Sequence, residues 1–400
     1  MLRLLILRLT LVCAFIPSVS FGTSDLDTQP FAFCLGLLCI LSSLHIKLPS
    51  LIWLLLIPAL ISVFLAISSA SLITGARAVT IYTSPFVFAA VGYFMSKQRL
   101  NIYYYAVVML HVWLSISLLQ FFISPDIIDY LVNVRSSAER GVTGLAPEPS
   151  FYGLTIIQMM LLLFLINERI QYKKAIFAVG VFQIFILAKS SLAIIIFLSI
   201  GIIFFTKKLK LMLVAGLCLG IFLNVVSTLP PDNNRAVQLL NLFIADPYQV
   251  IYADGSVADR AFHVFLSLKN AFSSGLRPHG FDSFSFVISQ GQLDYPAYWW
   301  GIESNKIMSG IGGAVFELGW FSIFYLFVFF RYVGEYKFAS KNDRLVFSSG
   351  VIFVWMNSIS FAAPLFGLMI GVMAHSISTY KHNETRTKLA HADLGMPAQL

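Results

Sequence analysis

Of the 400 residues, 58% are apolar and only 12% are charged, about half the charged share of an ordinary soluble domain. Too few polar side chains exist to cover a water-facing globule, so the chain reads as an integral membrane protein. The formal charge of +8 does not indicate a nucleic-acid binder, because the basic residues fall in short clusters between apolar runs and not along one solvated face. Cys13, Cys34, Cys39 and Cys218 stand inside apolar runs with no CxxC pair and no neighbouring His, which argues against both a disulfide framework and a zinc site.

A helix rises about 1.5 Å per residue and the hydrocarbon layer is about 30 Å thick, so each crossing takes roughly 17 to 25 mostly apolar residues. Twelve stretches meet or approach that length: 4–21, 29–46, 50–67, 78–96, 101–123, 150–166, 175–188, 190–206, 210–229, 309–330, 345–362 and 363–380. The expected fold class is therefore all-α and polytopic, one multi-spanning domain over 1–380 followed by a disordered cytoplasmic tail at 381–400. The seventh and eighth stretches are short and divided only by Lys189 and Ser190, and the last two turn at Pro364.

With a cytoplasmic N-terminus, the inner segments collect Arg3, Arg8, Lys47, Lys97, Arg99, Lys173, Lys174, Lys207, Lys208, Arg331, Lys337, Lys341 and Lys381, and every short inner turn holds a basic residue. This is the positive-inside bias, and it places both termini in the cytoplasm. A signal peptide over the first stretch, ending near Ser18-Val19-Ser20, would leave the other loops on the same sides.

Two outer segments then stand out: residues 124–149 and the long loop 230–308, between the ninth and tenth stretches, which far exceeds an ordinary helix connection. Within the long loop, apolar residues recur at helical spacing over 236–244 and 258–272, as expected of short helices lying at or dipping into the membrane surface. The first segment ends in RGVTGLAPEPSFYG, residues 140–153. Its prolines forbid a continuous helix through 147–149, which puts Glu148 on a rigid turn at the mouth of the sixth stretch, and its glycines would let the backbone approach a ligand.

Several guanidinium groups stand on this outer side, where topology disfavours cations: Arg140, Arg235, Arg260 in DGSVADR, and Arg277 two residues before His279 in GLRPHGFDSF. A guanidinium keeps its proton and offers a fork of donors matched to phosphate oxygens. A lipid-linked pyrophosphate is a ligand of that chemistry. Lys189 lies on the same side at a helix junction, where it either faces phosphate or snorkels. Trp299 and Trp300, in YPAYWW, offer ring faces to sugars or serve as an interfacial aromatic belt. Glu317 is a carboxyl inside an apolar stretch and a functional candidate on that ground. Asp25-Leu26-Asp27 forms a DxD in the first outer loop, which topology alone also favours, and no metal site is assigned.

The order of these motifs resembles the Wzy-type O-antigen polymerases and the related capsule and exopolysaccharide polymerases. The resemblance covers roughly residues 100–330 and rests on Arg140, Gly144-Leu145 and Glu148-Pro149-Ser150 after about five spans, then the large outer loop with Ser256 and Arg260, then HGFDSF and FELGWF. It implies a glycosyltransferase of the bacterial inner membrane that elongates polysaccharide on an undecaprenyl-pyrophosphate carrier, with membrane lipid and a chain-length regulator protein as partners and no nucleic acid. On that reading Arg140, Arg260 and Arg277, with Arg235 and Lys189 nearby, grip the pyrophosphate, while Glu148 or His279 takes the proton of the attacking hydroxyl. Because energy arrives with the substrate, no cofactor is needed, and no P-loop or Rossmann glycine fingerprint is found. The alternatives are an O-antigen ligase, which usually shows a His beside Asn or Ser where this chain has Glu303-Ser304-Asn305, and a lipid-linked sugar or other transporter, which usually shows two related halves.

Overall fold

In hydrocarbon a backbone finds partners only along its own helix or in a closed barrel. The computed structural model describes residues 2–20, 28–69, 71–135, 141–166, 173–205, 241–242, 245–246, 255–295, 306–357 and 360–393, and among them the regular structure is entirely helical. In chain order come α1 (Leu2–Phe15), α2 (Phe31–Leu41), α3 (Ser50–Trp53), α4 (Leu56–Ile67), α5 (Leu72–Lys97), α6 (Ile102–Phe122), α7 (Pro149–Ile166), α8 (Lys173–Phe182) running into a π-helical segment (Gln183–Ala188), and α9 (Ser191–Phe205). After the next described stretch begins, α10 (Gly255–Ser273), α11 (Phe284–Asp294), α12 (Gly310–Leu318), α13 (Ile323–Glu335), α14 (Lys341–Met356) and α15 (Pro364–Asp393) complete the chain.

Among the described residues, five helical stretches are long and apolar enough to cross a membrane: Ser50–Ile67, Leu72–Lys97, Ile102–Phe122, Pro149–Ile166 and Gly310–Glu335. Phe31–Leu41, Lys174–Ala188 and Ser191–Phe204 are shorter apolar helices. Helix occupies each stretch expected from the sequence except 210–229, which lies outside the described residues. Polar caps set several boundaries. The side chain of Asn101 accepts from the Tyr104 N–H, that of Ser340 from Asp343, and that of Ser309 from Gly312, at 3.0, 3.0 and 2.9 Å, each relieving one orphan donor of a first turn. At the other end of the chain α15 continues to Asp393, where a tail was expected. Nothing between Pro364 and Asp393 breaks a helix: no further Pro occurs, and the glycines stop at Gly371.

α5 and α15 form the axis of the core, and their backbones touch. A Cβ on Gly371 would lie 2.2 Å from the Ala89 carbonyl oxygen, one on Gly92 would lie 2.6 Å from the Leu368 oxygen, and one on Gly367 would lie 2.9 Å from the Pro85 oxygen. Gly367 and Gly371 form a GxxxG pair, the spacing that lets two helices close to backbone contact where lipid offers no hydrophobic drive. The largest fully buried side chains of the core include Trp113, Tyr152, Phe88, Phe94, Tyr325 and Phe329.

The bundle has two chemically distinct ends. At one, Arg3 donates to His45 (3.1 Å), Glu335 receives Arg331 and Lys381 (2.6 and 2.8 Å), the Lys337 ammonium sits 3.3 Å from the centre of the Tyr380 ring, and Asn342 donates to the Phe204 carbonyl (3.0 Å). These are segments that the charge pattern assigns to one side. At the other end the chain crosses itself repeatedly, with Ser20 N–H donating to Leu131 O (2.8 Å) and Val142 N–H to Leu187 O (2.9 Å).

Replacing Gly371 with Leu should cost at least about 1–3 kcal/mol, the usual penalty for forcing side-chain volume into packed structure, read as a lower thermal midpoint in detergent. Gly334→Ala should leave the midpoint unchanged or raise it slightly, because a Cβ there meets nothing within 4 Å and alanine is the better helix former.

Candidate functional site

The site grows from the stretch between α6 and α7. Residues 143–147 are irregular yet buried, so their backbone groups need partners inside the protein. Gln120, 2% exposed near the end of α6, supplies one of them. Its side-chain oxygen accepts the Gly144 N–H (2.7 Å), and its nitrogen donates to the Thr143 hydroxyl (3.1 Å) and the Pro125 carbonyl (3.2 Å). Gly144 has a positive φ of 57° and rests against Trp113. A Cβ on Gly141 would sit 2.0 Å from the Ala188 carbonyl oxygen, and one on Gly153 would sit 2.4 Å from the Ala193 Cβ. The glycines expected to admit a ligand are therefore used to admit neighbouring protein, which corrects the sequence reading.

This docking fixes Glu148 at the N-terminus of α7, where its carbonyl accepts the Tyr152 N–H (3.1 Å). The Glu148 carboxylate faces two guanidinium groups: Arg260 Nη2 lies 3.6 Å from Oε2 and Arg135 Nη2 lies 3.8 Å from Oε1. Ser150 completes the group, accepting from Arg260 Nη2 (2.9 Å) and donating to Glu148 Oε2 (3.3 Å). The Arg260 and Glu148 side chains are only 15% and 22% exposed, so water screens the pair weakly. Arg135, which the sequence reading passed over, is the third charge of the cluster, and its own N–H donates to the Pro147 carbonyl (2.7 Å).

One turn further along α10, His263 is buried at 4% exposure. Its Nδ1 accepts the Met308 N–H (3.0 Å), which leaves Nε2–H directed at Asp259 Oδ1 (3.2 Å). This pair fastens α10 to the start of α12. Asp259 and His263 at i and i+4 were legible as one helix face, but their partner Met308 was not.

The remaining candidates are dispersed. Lys189 adopts the left-handed conformation (φ 47°) at the break between the π-helical segment and α9, exposed, with its ammonium 5.8 Å from the centre of the Phe121 ring. Arg277 is exposed on the turn after α10. His279 stacks on Phe316 with centroids 4.3 Å apart, and both its N–H and its Nδ1 face the Phe316 carbonyl oxygen, at 3.1 and 3.2 Å. Arg140, Arg235, Trp299 and Trp300 lie outside the described residues, as do Asp25 and Asp27.

The HGFDSF and FELGWF motifs prove to be two halves of one joint. At Gly319 (φ 58°, ψ −133°) the helical ladder between α12 and α13 breaks. The Phe316 and Glu317 carbonyls accept from His279 and Gly280 N–H (3.1 and 3.3 Å), while Trp320 N–H donates to Leu276 O (2.9 Å). A Cβ at Gly319 would lie 2.2 Å from that same Leu276 oxygen. Beside the joint, the Tyr82 hydroxyl donates to Glu317 Oε2 (2.5 Å), the Tyr325 hydroxyl to the Tyr82 carbonyl (2.7 Å), and Phe281 stacks on Tyr82 at 6.1 Å. Glu317 is thus partnered by a tyrosine from a helix 235 residues away.

Compared with protein-family models and with curated proteins, the chain matches neither. The site's chemistry therefore stands on its geometry: a carboxylate and a hydroxyl at a helix N-terminus, held between two guanidinium groups, at the end of the bundle away from the Arg331 and Lys381 cluster.

Gln120→Leu should leave the buried Gly144 N–H and Thr143 hydroxyl without their partner and cost about 1–3 kcal/mol. Thermal unfolding in detergent measures the loss, and the Glu148–Arg260 contact should loosen with it because the 141–148 loop is no longer pinned.

Proposed function

We propose that this protein is a polymerase of lipid-linked oligosaccharides, a glycosyltransferase working at the periplasmic face of the bacterial inner membrane on undecaprenyl-pyrophosphate substrates. The observation that carries the reading is the meeting of Arg260 with Glu148 and Ser150 across 110 residues of chain, which joins the Glu-Pro-Ser stretch to the long loop as a shared anion site requires. Arg135 adds a second guanidinium, and the N-termini of α7 and α9, in contact through Gly153 and Ala193, add two positive helix ends. A diphosphate is the kind of ligand such a concentration of donors fits.

In this reading Glu148 holds Arg260 and Arg135 in place while the site has no substrate. A donor pyrophosphate then competes for the same guanidinium donors and releases the carboxylate. The freed Glu148, oriented by Ser150, accepts the proton of the acceptor sugar hydroxyl as that oxygen attacks the anomeric carbon, and the C–O bond to the pyrophosphate breaks with its electrons leaving on phosphate. Arg260 stabilises the charge that develops there. The topology that goes with this reading puts the Arg331 and Lys381 end in the cytoplasm, together with both termini, and the full count of twelve crossings belongs to it as well.

The test begins with deletion of the gene and electrophoresis of surface polysaccharide. Loss of the ladder with one capped repeat retained supports the polymerase; full-length polymer left on its carrier would indicate a ligase, and absence of both would indicate a transporter. Complementation then probes the site. Arg260→Lys keeps the charge but loses the fork, and should lower long-chain polymer at least about tenfold, while Glu148→Gln should lower it by about 100-fold or more, the scale of losing a preorganised charged group. Full ladders from both variants would overturn the assignment.

A further inference from the structure

α10 and α11 are joined by the turn 274–283 and pack together, both ends of α11 lying beside residues 262–269 of α10: Phe284 against His263 with ring centres 5.1 Å apart and Tyr295 against Phe262 at 6.1 Å. The inner face of this hairpin packs Ala258, Phe262, Leu266, Phe284 and Ile288 against Phe316. The hairpin descends alongside α12 in register: His263 meets Met308, Ser267 lies against Gly312, and Gly275 and Leu276 meet Trp320. It then climbs back, with His279 at the level of Phe316.

Depth follows from helix rise. Glu335, paired with Arg331 and Lys381, marks one boundary of the apolar layer. Trp320 is fifteen residues before it, about 22 Å at 1.5 Å per residue, against a hydrocarbon thickness of about 30 Å. The bottom of the hairpin turn therefore lies about 8 Å inside the opposite boundary, the depth reached by helices that embed in one leaflet.

Two further observations agree with that depth. Phe272 is 65% exposed in the bare chain, and it stands beside the stripe of Trp320, Ile323, Phe327 and Phe330 on the outer surface of the spanning stretch, each 50% exposed or more. The Trp320 indole N–H donates to the Gly275 carbonyl (2.9 Å), which makes the two surfaces continuous. Several polar groups of the turn are also satisfied from within. Ser274, Gly275 and Leu276 N–H donate to Asn270, Phe272 and Ala271 carbonyls, and Leu276 O is taken by Trp320 N–H. The side chains of Ser267, Asn270, Ser273 and Ser274 all donate to carbonyls of α10 itself. Irregular backbone persists at membrane depth only under that condition.

We infer that α10–α11 is a re-entrant hairpin whose turn, together with Phe272, is covered by phospholipid acyl chains, entering the bilayer from the Arg260 end. Lys269, whose ammonium lies 5.3 Å from the centre of the Tyr295 ring and 3.8 Å from Asp294, and the exposed Arg277 reach back to the polar layer by their long stems. Arg260, twelve residues before Phe272 and about 18 Å higher along α10, then stands about 15 Å above the hydrocarbon boundary, on the water side of the headgroup layer. The hairpin's depth depends on membrane insertion alone and holds whichever reaction the Arg260 site performs.

Hydroxyl-radical footprinting of the unmodified full chain in phospholipid nanodiscs tests the inference. Phe272 should be protected to the level of Phe327, since only lipid can shield a side chain so exposed in the protein itself; oxidation of Phe272 several-fold above Phe327 would overturn it. A second readout uses benzoylphenylalanine at position 272 or 327, irradiated in the same nanodiscs. Phospholipid adducts at both positions are expected, and adducts at 327 alone would overturn the proposal.

Discussion

Two breaks in the described helices are each closed by a segment from elsewhere in the chain, because hydrocarbon offers no water to satisfy a loose N–H or C=O. Where the π-helical segment ends at Ala188, the loop that begins at Gly141 lies against it and Val142 donates to Leu187. Where the ladder opens at Gly319, the turn from Leu276 to Gly280 closes over it. Glycine stands at each contact because a side chain would collide with the very carbonyl being approached. From these two dockings follow the position of Glu148 at the mouth of α7 and the descent of α10 along α12.

Charge is arranged by the same constraint. The Arg331, Lys381 and Glu335 group, with Lys337 on Tyr380, gathers at one end of the bundle, while Arg135 and Arg260 enclose Glu148 at the other. The second group sets two cations around one anion, Glu148, and in the proposed function an anionic substrate takes that anion's place. Ser150 ties the pair together by hydrogen bonds that neither charge alone would fix.

The roles of several motifs change once the fold is known. His279 is a candidate base by residue type, yet its ring stacks on Phe316 and its nitrogen faces a carbonyl of the opened helix, so its visible role is to hold the joint. The two motifs HGFDSF and FELGWF, far apart in sequence, pair across that joint. Gly144 and Gly153 likewise serve packing against Trp113 and Ala193. In each case the sequence marked the right residues for a reason that only the neighbours reveal.

Apolar run length, prolines and caps are local properties, so helices at 102–122 and 149–166, the turn before Pro149, and the amphipathic helix through 258–272 could all be read from the letters. Charge spacing likewise separated the two ends of the bundle. What the letters left open were partnerships between distant segments: Arg260 with Ser150, Tyr82 with Glu317, the GxxxG of α15 against Ala89 on α5. Those depend on which helix faces which, and facing is decided by packing and by the demand that each buried polar group meet a complement, neither of which leaves a periodic trace in one strand of sequence.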